Sequence, residues 1–268
     1  MISSFFIVLM LLFANCQKET TPSVSTSSNT TTNSTGNTGS TGSTTTGLTA
    51  SQMLELYKKT IYGASSITLE GDYIVVKSTG LPDHKSPYYQ GTQWASTKYE
   101  AYNGTAAFSI NPNRIAQQNL TFRIPASPTE ASTKSATPGG AIGVSLNGVP
   151  FFNQYAAGNS PLTNEIVSFD QYAGHPQQQG SYHYHIEPYY LTKTKGNSAL
   201  LGFLLDGFPV YGPVENGKTL KSADLDAYHG HKHATTDFPN GIYHYHITAD
   251  APYLNGSGFF GNRGTVSQ

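Results

Sequence analysis

Apolar and polar positions divide the chain into three stretches of different character. Phe5 to Ala14 is an unbroken apolar run. It is too short to cross a bilayer, which needs roughly 20 residues, and it has the length of a signal-peptide core. Thr20 to Gly47 follows, almost wholly Ser, Thr, Asn and Gly, with Val24 its only aliphatic residue. Such a stretch buries too little surface to offset its chain entropy, so it predicts a disordered tether. Periodic patterning begins near Leu48. Met53, Leu56, Tyr57 and Ile61 fall on one helical face behind a Thr49/Gln52 capping box, which predicts one short helix over residues 49–61. Beyond it the helical period fades. Tyr73 to Val76 and Thr121 to Ile124 have the composition of buried strands, and Gly and Pro punctuate the chain to its end.

Composition sharpens this picture. Aromatic residues make up 12% of the chain, with 27 Gly and 15 Pro, which favours a mainly β fold: one sandwich-like, β-rich domain over residues 48–268. Charged residues are only 12% and the net charge is −1, so no nucleic-acid partner is expected. The one cysteine, Cys16, follows the apolar run. Phe13-Ala14-Asn15-Cys16 resembles a bacterial lipobox, although no Lys or Arg precedes the run and Asn15 replaces a small residue. Residues 1–16 are therefore read as a lipoprotein-type signal peptide with lipidation at Cys16, and residues 17–47 as the tether. The expected location is extracytoplasmic, at the outer membrane, periplasm or cell surface, with a membrane as partner through the N-terminal lipid.

The C-terminal half repeats itself. Gly143 to Phe152 matches Gly202 to Tyr211 at an offset of 59 residues, with Asn147-Gly148 answering Asp206-Gly207. Asp170-Gln-Tyr-Ala-Gly-His175 matches Asp226-Ala-Tyr-His-Gly-His231. Gly180-Ser-Tyr-His-Tyr-His-Ile186 matches Gly241-Ile-Tyr-His-Tyr-His-Ile247. Three blocks in the same order define two units, at about 143–199 and 202–258. Two copies are duplication within one domain, since solenoids need three or more. Gly258-Phe259-Phe260-Gly261 reads as the start of a closing strand.

In a strand, residues two apart share a face. His183 and His185 therefore point one way and Tyr182 and Tyr184 the other, and His244 and His246 repeat the arrangement. If the two strands are neighbours, four imidazoles converge. His175 and His231 add further ligands or supporting groups, and Asp170, Asp226 and Asp206 are possible carboxylate ligands. Because the domain has no Cys, any ion must take nitrogen and oxygen donors. Neutral imidazole suits Zn, Cu, Fe and Ni, and copper or zinc is the expected cofactor. Packing is the plainer alternative, because Tyr and His also suit half-buried strands.

At these residues the chain resembles the YHYH domain family of extracellular proteins. The resemblance rests on Tyr182–His185 and Tyr243–His246. It extends to the Asp206-Gly207-Phe208-Pro209 segment, to Gly230-His231, and to the N-terminal segment Gly80 to Tyr89. It covers about Tyr73 to Gly264. Relatives often place a cysteine near Gly258–Gly261; this chain has none, so no thiol role carries over. The resemblance implies the domain type, points to Asp83 and His84 as further site residues, and leaves activity open.

Three functions remain in view: a metal-binding protein, a metal-dependent oxidase or hydrolase, and a metal-free adhesion or binding module that captures carbohydrate or another small extracellular ligand through exposed Tyr and Trp94. No Gly-x-Ser-x-Gly elbow, phosphate loop or dinucleotide fingerprint is present.

Overall fold

A computed structural model describes residues 47–256 and 258–268. The apolar segment, Cys16 and the tether up to residue 46 lie outside the described residues.

The helix begins where its capping pattern requires. Thr49 Oγ1 accepts from the Gln52 amide at 3.2 Å, and Gln52 Oε1 accepts from the Thr49 amide at 2.9 Å. These two bonds satisfy donors that a bare helix end leaves unpaired. Helix α1 (Ala50–Thr60) buries Met53 and Tyr57, and Tyr57 stacks on Phe203 with ring centroids 3.9 Å apart. Two short helices that the apolar pattern did not announce, α2 (Ala95–Lys98) and α3 (Tyr189–Lys195), complete the α-helical content of the described residues, beside five single-turn 3-10 helices.

The rest is mainly β. β1 (Ala64–Glu70), β2 (Tyr73–Ser78) and β3 (Leu120–Pro125) form an antiparallel sheet in which Ile74 faces Ile124 and Val76 faces Phe122. β4 (Glu130–Ser135) leads into the first repeat. There β5 (Ala141–Ser145) and β6 (Pro150–Phe152) make a hairpin, β7 (Tyr155–Ala156) and β8 (Ser160–Pro161) a smaller one, and β9 (Gly174–Pro176) and β10 (Tyr182–Tyr184) follow. The second repeat supplies β11 (Leu200–Leu204), β12 (Pro209–Tyr211), β13 (Val214–Glu215), β14 (Lys218–Thr219), β15 (Gly230–His233) and β16 (Ile242–His246). β17 (Phe259–Gly261) pairs with β4, and β18 (Thr265–Ser267) closes the first sheet beside β3.

Both repeats lie in one eight-stranded sheet of order β15-β16-β12-β11-β5-β6-β10-β9. Reading inward from either end gives the same sequence of pairings. An outer antiparallel pair is followed by a parallel step, then an antiparallel hairpin, and the halves join antiparallel through β5 and β11. At that seam Val144 faces Phe203, Gly143 faces Leu204, and Ser145 faces Gly202. Under the 59-residue offset Val144 and Phe203 are counterparts, so an approximate two-fold axis passes between them. The duplication read from the sequence is thus built into the sheet. One continuous core, including Ile74, Phe122, Val144, Phe151, Phe203 and Tyr245, joins the two sheets and α1.

Candidate metal centres

The symmetry sends the two Tyr-His-Tyr-His strands to opposite ends of the sheet. The condition for four converging imidazoles, that the two strands be neighbours, is therefore not met. Four imidazoles do not meet in one place; each repeat gathers its own three.

In the first repeat His183 and His185 come from β10 and its C-terminal extension, and His175 comes from β9, where it faces His183 directly across the strands. His183 Nε2 lies 3.1 Å from His175 Nε2 and 2.9 Å from His185 Nε2. The Nδ1 atoms fix the tautomers. His183 Nδ1 donates to the Ser181 carbonyl at 3.0 Å and His185 Nδ1 to the Asn153 carbonyl at 2.5 Å. A carbonyl only accepts, so both rings carry their proton on Nδ1. Ser168 Oγ gives its proton to the Glu165 carbonyl and lies 2.7 Å from His175 Nδ1, so it accepts from that nitrogen. All three neutral rings therefore direct bare Nε2 lone pairs at one another. Burial keeps further protons away: His175 is lowered to about 3, His185 to about 4, and His183 well below its usual range. Phe152 stacks on His183 and Phe169 lies parallel to His185, fixing the ring planes.

Converging lone pairs repel unless a cation sits among them. Ligand nitrogens about 2.0–2.1 Å from one ion stand about 2.9 Å apart at right angles and about 3.3 Å apart at the tetrahedral angle. The observed separations belong to that range.

The second repeat reproduces the design. His244 faces His231 across β16 and β15. His244 Nδ1 donates to the Ile242 carbonyl at 3.0 Å, the counterpart of the Ser181 bond. His246 Nδ1 donates to the Gly212 carbonyl at 2.8 Å, and Gly212 is the counterpart of Asn153. The Nε2 atoms of His231, His244 and His246 are buried and unpartnered by any hydrogen bond. They surround Glu215: His231 lies 3.3 Å from Oε2, and His244 and His246 lie 3.4 and 3.7 Å from Oε1. Burial lowers His244 to about 4 and lowers His231 and His246 as well. His233 is exposed and reaches the same carboxylate through Nδ1 at 3.3 Å. His175, His183 and His185 thus form one set able to hold an ion, and Glu215, His231, His244 and His246 another.

The remaining candidates lie on the tyrosine side of the strands, outside both sets. Asp170 Oδ1 accepts from the Tyr172 amide at 2.9 Å, shaping the turn before His175, and takes the Tyr182 hydroxyl at 2.9 Å. Asp226 does the same with the Tyr228 amide and the Tyr243 hydroxyl, each at 2.9 Å. These are Asx turns locked by a tyrosine. Asp206 accepts the Tyr245 hydroxyl at 2.6 Å and the Gly261 amide at 2.9 Å, and burial raises it to about 6. His84 Nδ1 donates to the Lys85 carbonyl, which leaves Nε2 to accept the Tyr184 hydroxyl at 3.0 Å. Asp83 accepts from Asn147 at 2.9 Å and Tyr62 at 3.0 Å. Their acidic and basic groups are spent on the frame. Tyr182, Tyr184, Tyr243 and Tyr245 are likewise committed to it, and Trp94 is partly buried against the core, while Tyr99, Tyr155 and Tyr189 are exposed.

The family-model comparison now has its structural counterpart. Residues 121–220 and 214–258 match the model described as YHYH protein. The chain belongs to the YHYH family. No curated protein and no solved structure matches it. In this YHYH protein the family's two tyrosines tie the strand to the core, while its two histidines carry the chemistry-bearing face. Glu215 escaped the sequence reading. Its signal was the Asn216-Gly217 turn, with both residues at positive φ, which folds β13 onto β14 directly after the repeat's second strand.

Proposed function

We propose that the protein binds two transition-metal ions, copper or zinc, one in each repeat, as an extracytoplasmic lipoprotein. The observation that carries this reading is the convergence of three buried imidazole Nε2 atoms in each of two related places. Calcium and magnesium require sets of oxygen ligands that neither place offers. Imidazole donors with at most one carboxylate suit copper and zinc, with copper the stronger binder by the general divalent order. The backbone carbonyls that hold Nδ1 of His183, His185, His244 and His246 orient those rings in the manner usual around bound metals. The gathering of six histidines into two sets works against the metal-free carbohydrate module.

Metal analysis of the full chain, prepared without a histidine tag and saturated with copper or zinc, tests the reading. Two ions per chain are expected. A content near zero after saturation overturns it. The location rests on the apolar segment and Cys16. Labelling with an alkyne fatty acid in a bacterial host should mark the wild-type chain and miss Cys16→Ser; an unlabelled wild type removes the anchor.

A further inference from the structure

The two sites are alike in their imidazoles and unlike in what completes them. Under the 59-residue offset Glu215 corresponds to Ala156, and each sits on the first strand of a two-stranded hairpin. The second site therefore has a carboxylate within 3.3–3.7 Å of all three Nε2 atoms, and the first has a methyl group at that place. Glu165 approaches the first site from the side. Its Oε2 is 3.7 Å from His175 Nε2, but it does not join the set of mutually close ligand atoms.

The first triad also lies in the wall of a cavity of about 880 Å³ that includes Glu165. Among the described residues no Lys or Arg lines it. Gln177, Gln178, Asn164 and Tyr155 line the cavity, and their side chains supply neutral donors and acceptors. His244 and His246 of the second triad also border a cavity, of about 1010 Å³, but Glu215 shares its wall within 3.4–3.7 Å of their Nε2 atoms, and Lys59, Lys195 and Asp237 make its lining charged.

We propose that the ion of the first repeat keeps one coordination position for an exchangeable ligand from the cavity, the oxygen of a neutral carbonyl- or hydroxyl-bearing molecule, with Glu165 beside it. The ion of the second repeat has that position filled by Glu215. The inference rests on the metal reading above and assigns the first repeat as the reactive site and the second as the closed one.

The full chain loaded with copper(II) and titrated with azide, followed by its charge-transfer absorption, tests the division. Azide is the probe because it needs one open position. The expected result is two coppers and one azide per chain. Glu215→Ala should raise azide to two, and His175→Ala should leave one copper and no azide. Glu165→Gln should keep one azide and bind it several-fold more tightly, since the anion no longer meets a carboxylate; unchanged affinity removes Glu165 from the proposal. Two bound coppers with no azide, or with two, overturn the division alone. A chain that binds no copper overturns the metal reading as well. The wild-type ratio decides the matter even if a histidine variant fails to fold.

Discussion

Val144 and Phe203 face each other at the centre of the eight-stranded sheet and occupy the same place in the two repeats. Everything outward from that pair is built twice, and each site draws its histidines from a single repeat. His183→Ala should therefore reduce bound metal from two ions per chain to one and leave the affinity of the other site unchanged. His244→Ala should give the mirror result, and the double variant should bind none. Elemental analysis with a competition titration reads both numbers. Loss of both ions from one substitution would show that the sites are not separate.

The tyrosines should behave as frame. Tyr182→Phe removes a donor from the buried carboxylate of Asp170, which Ser86 still contacts at 2.6 Å. A stability loss of about 1–3 kcal/mol is expected in urea unfolding, with metal content unchanged. A variant that folds as stably as wild type and binds one ion fewer would place Tyr182 at the site instead.

Acid should weaken the metal-free protein. The unfolded chain protonates its histidines near pH 6.5, whereas burial holds His175 to about 3 and His185 and His244 to about 4 in the folded state, with His183 well below its ordinary value. Below pH 6.5 the unfolded state binds more protons, so stability falls as pH falls, by about 1.4 kcal/mol per pH unit for each lagging histidine. Asp206, raised to about 6, and Asp170, also raised by burial, work the opposite way as they protonate first in the folded state. The histidines outnumber them. The urea midpoint measured in chelator should drop between pH 7.5 and 4.5; a flat or rising midpoint contradicts the burial of neutral rings.

Gly174 and Gly230 are counterparts whose missing side chains make room for tyrosine. A Cβ at Gly174 would come within 2.4 Å of the Tyr182 ring, and one at Gly230 within 2.5 Å of the Tyr243 ring. Gly174→Ala should cost at least 1–3 kcal/mol, the range typical of overpacking, and should weaken metal binding at the first site by displacing His175. Unfolding and metal titration of the same variant check both. Retained stability with retained affinity would mean the strand tolerates the methyl group.

Much of this architecture was legible in the chain. The Thr49/Gln52 pair marked the start of α1, the apolar quartets at 73–76 and 121–124 marked β2 and β3, and self-similarity marked the duplication. The side chains of His183 and His185 shared a face because alternation in a strand is local. Strand order is not local. The parallel steps from β6 to β10 and from β12 to β16 carry the histidine strands away from the dyad, and nothing in residues 182–185 encodes that distance. Asp170 and Asp226 read as possible ligands in the sequence because an Asx turn and a metal site use the same side chain, and in the fold both shape turns. Glu215 was passed over because a lone glutamate before Asn-Gly looks like an ordinary surface turn, and α3 because Tyr189–Lys195 has neither a side-chain cap nor an apolar stripe.

His175 and His231 stand on β9 and β15, the outermost strands of the large sheet, each opposite a histidine of the next strand inward. An ion at either place fastens a short rim strand to the interior. Secreted domains commonly make such a fastening with paired cysteines, which a chain whose one cysteine is Cys16 cannot form internally. Stripping the ions would free the margins at both ends together, exposing unpaired backbone that invites association between copies. Chelation should then show itself as clumping as well as lost occupancy.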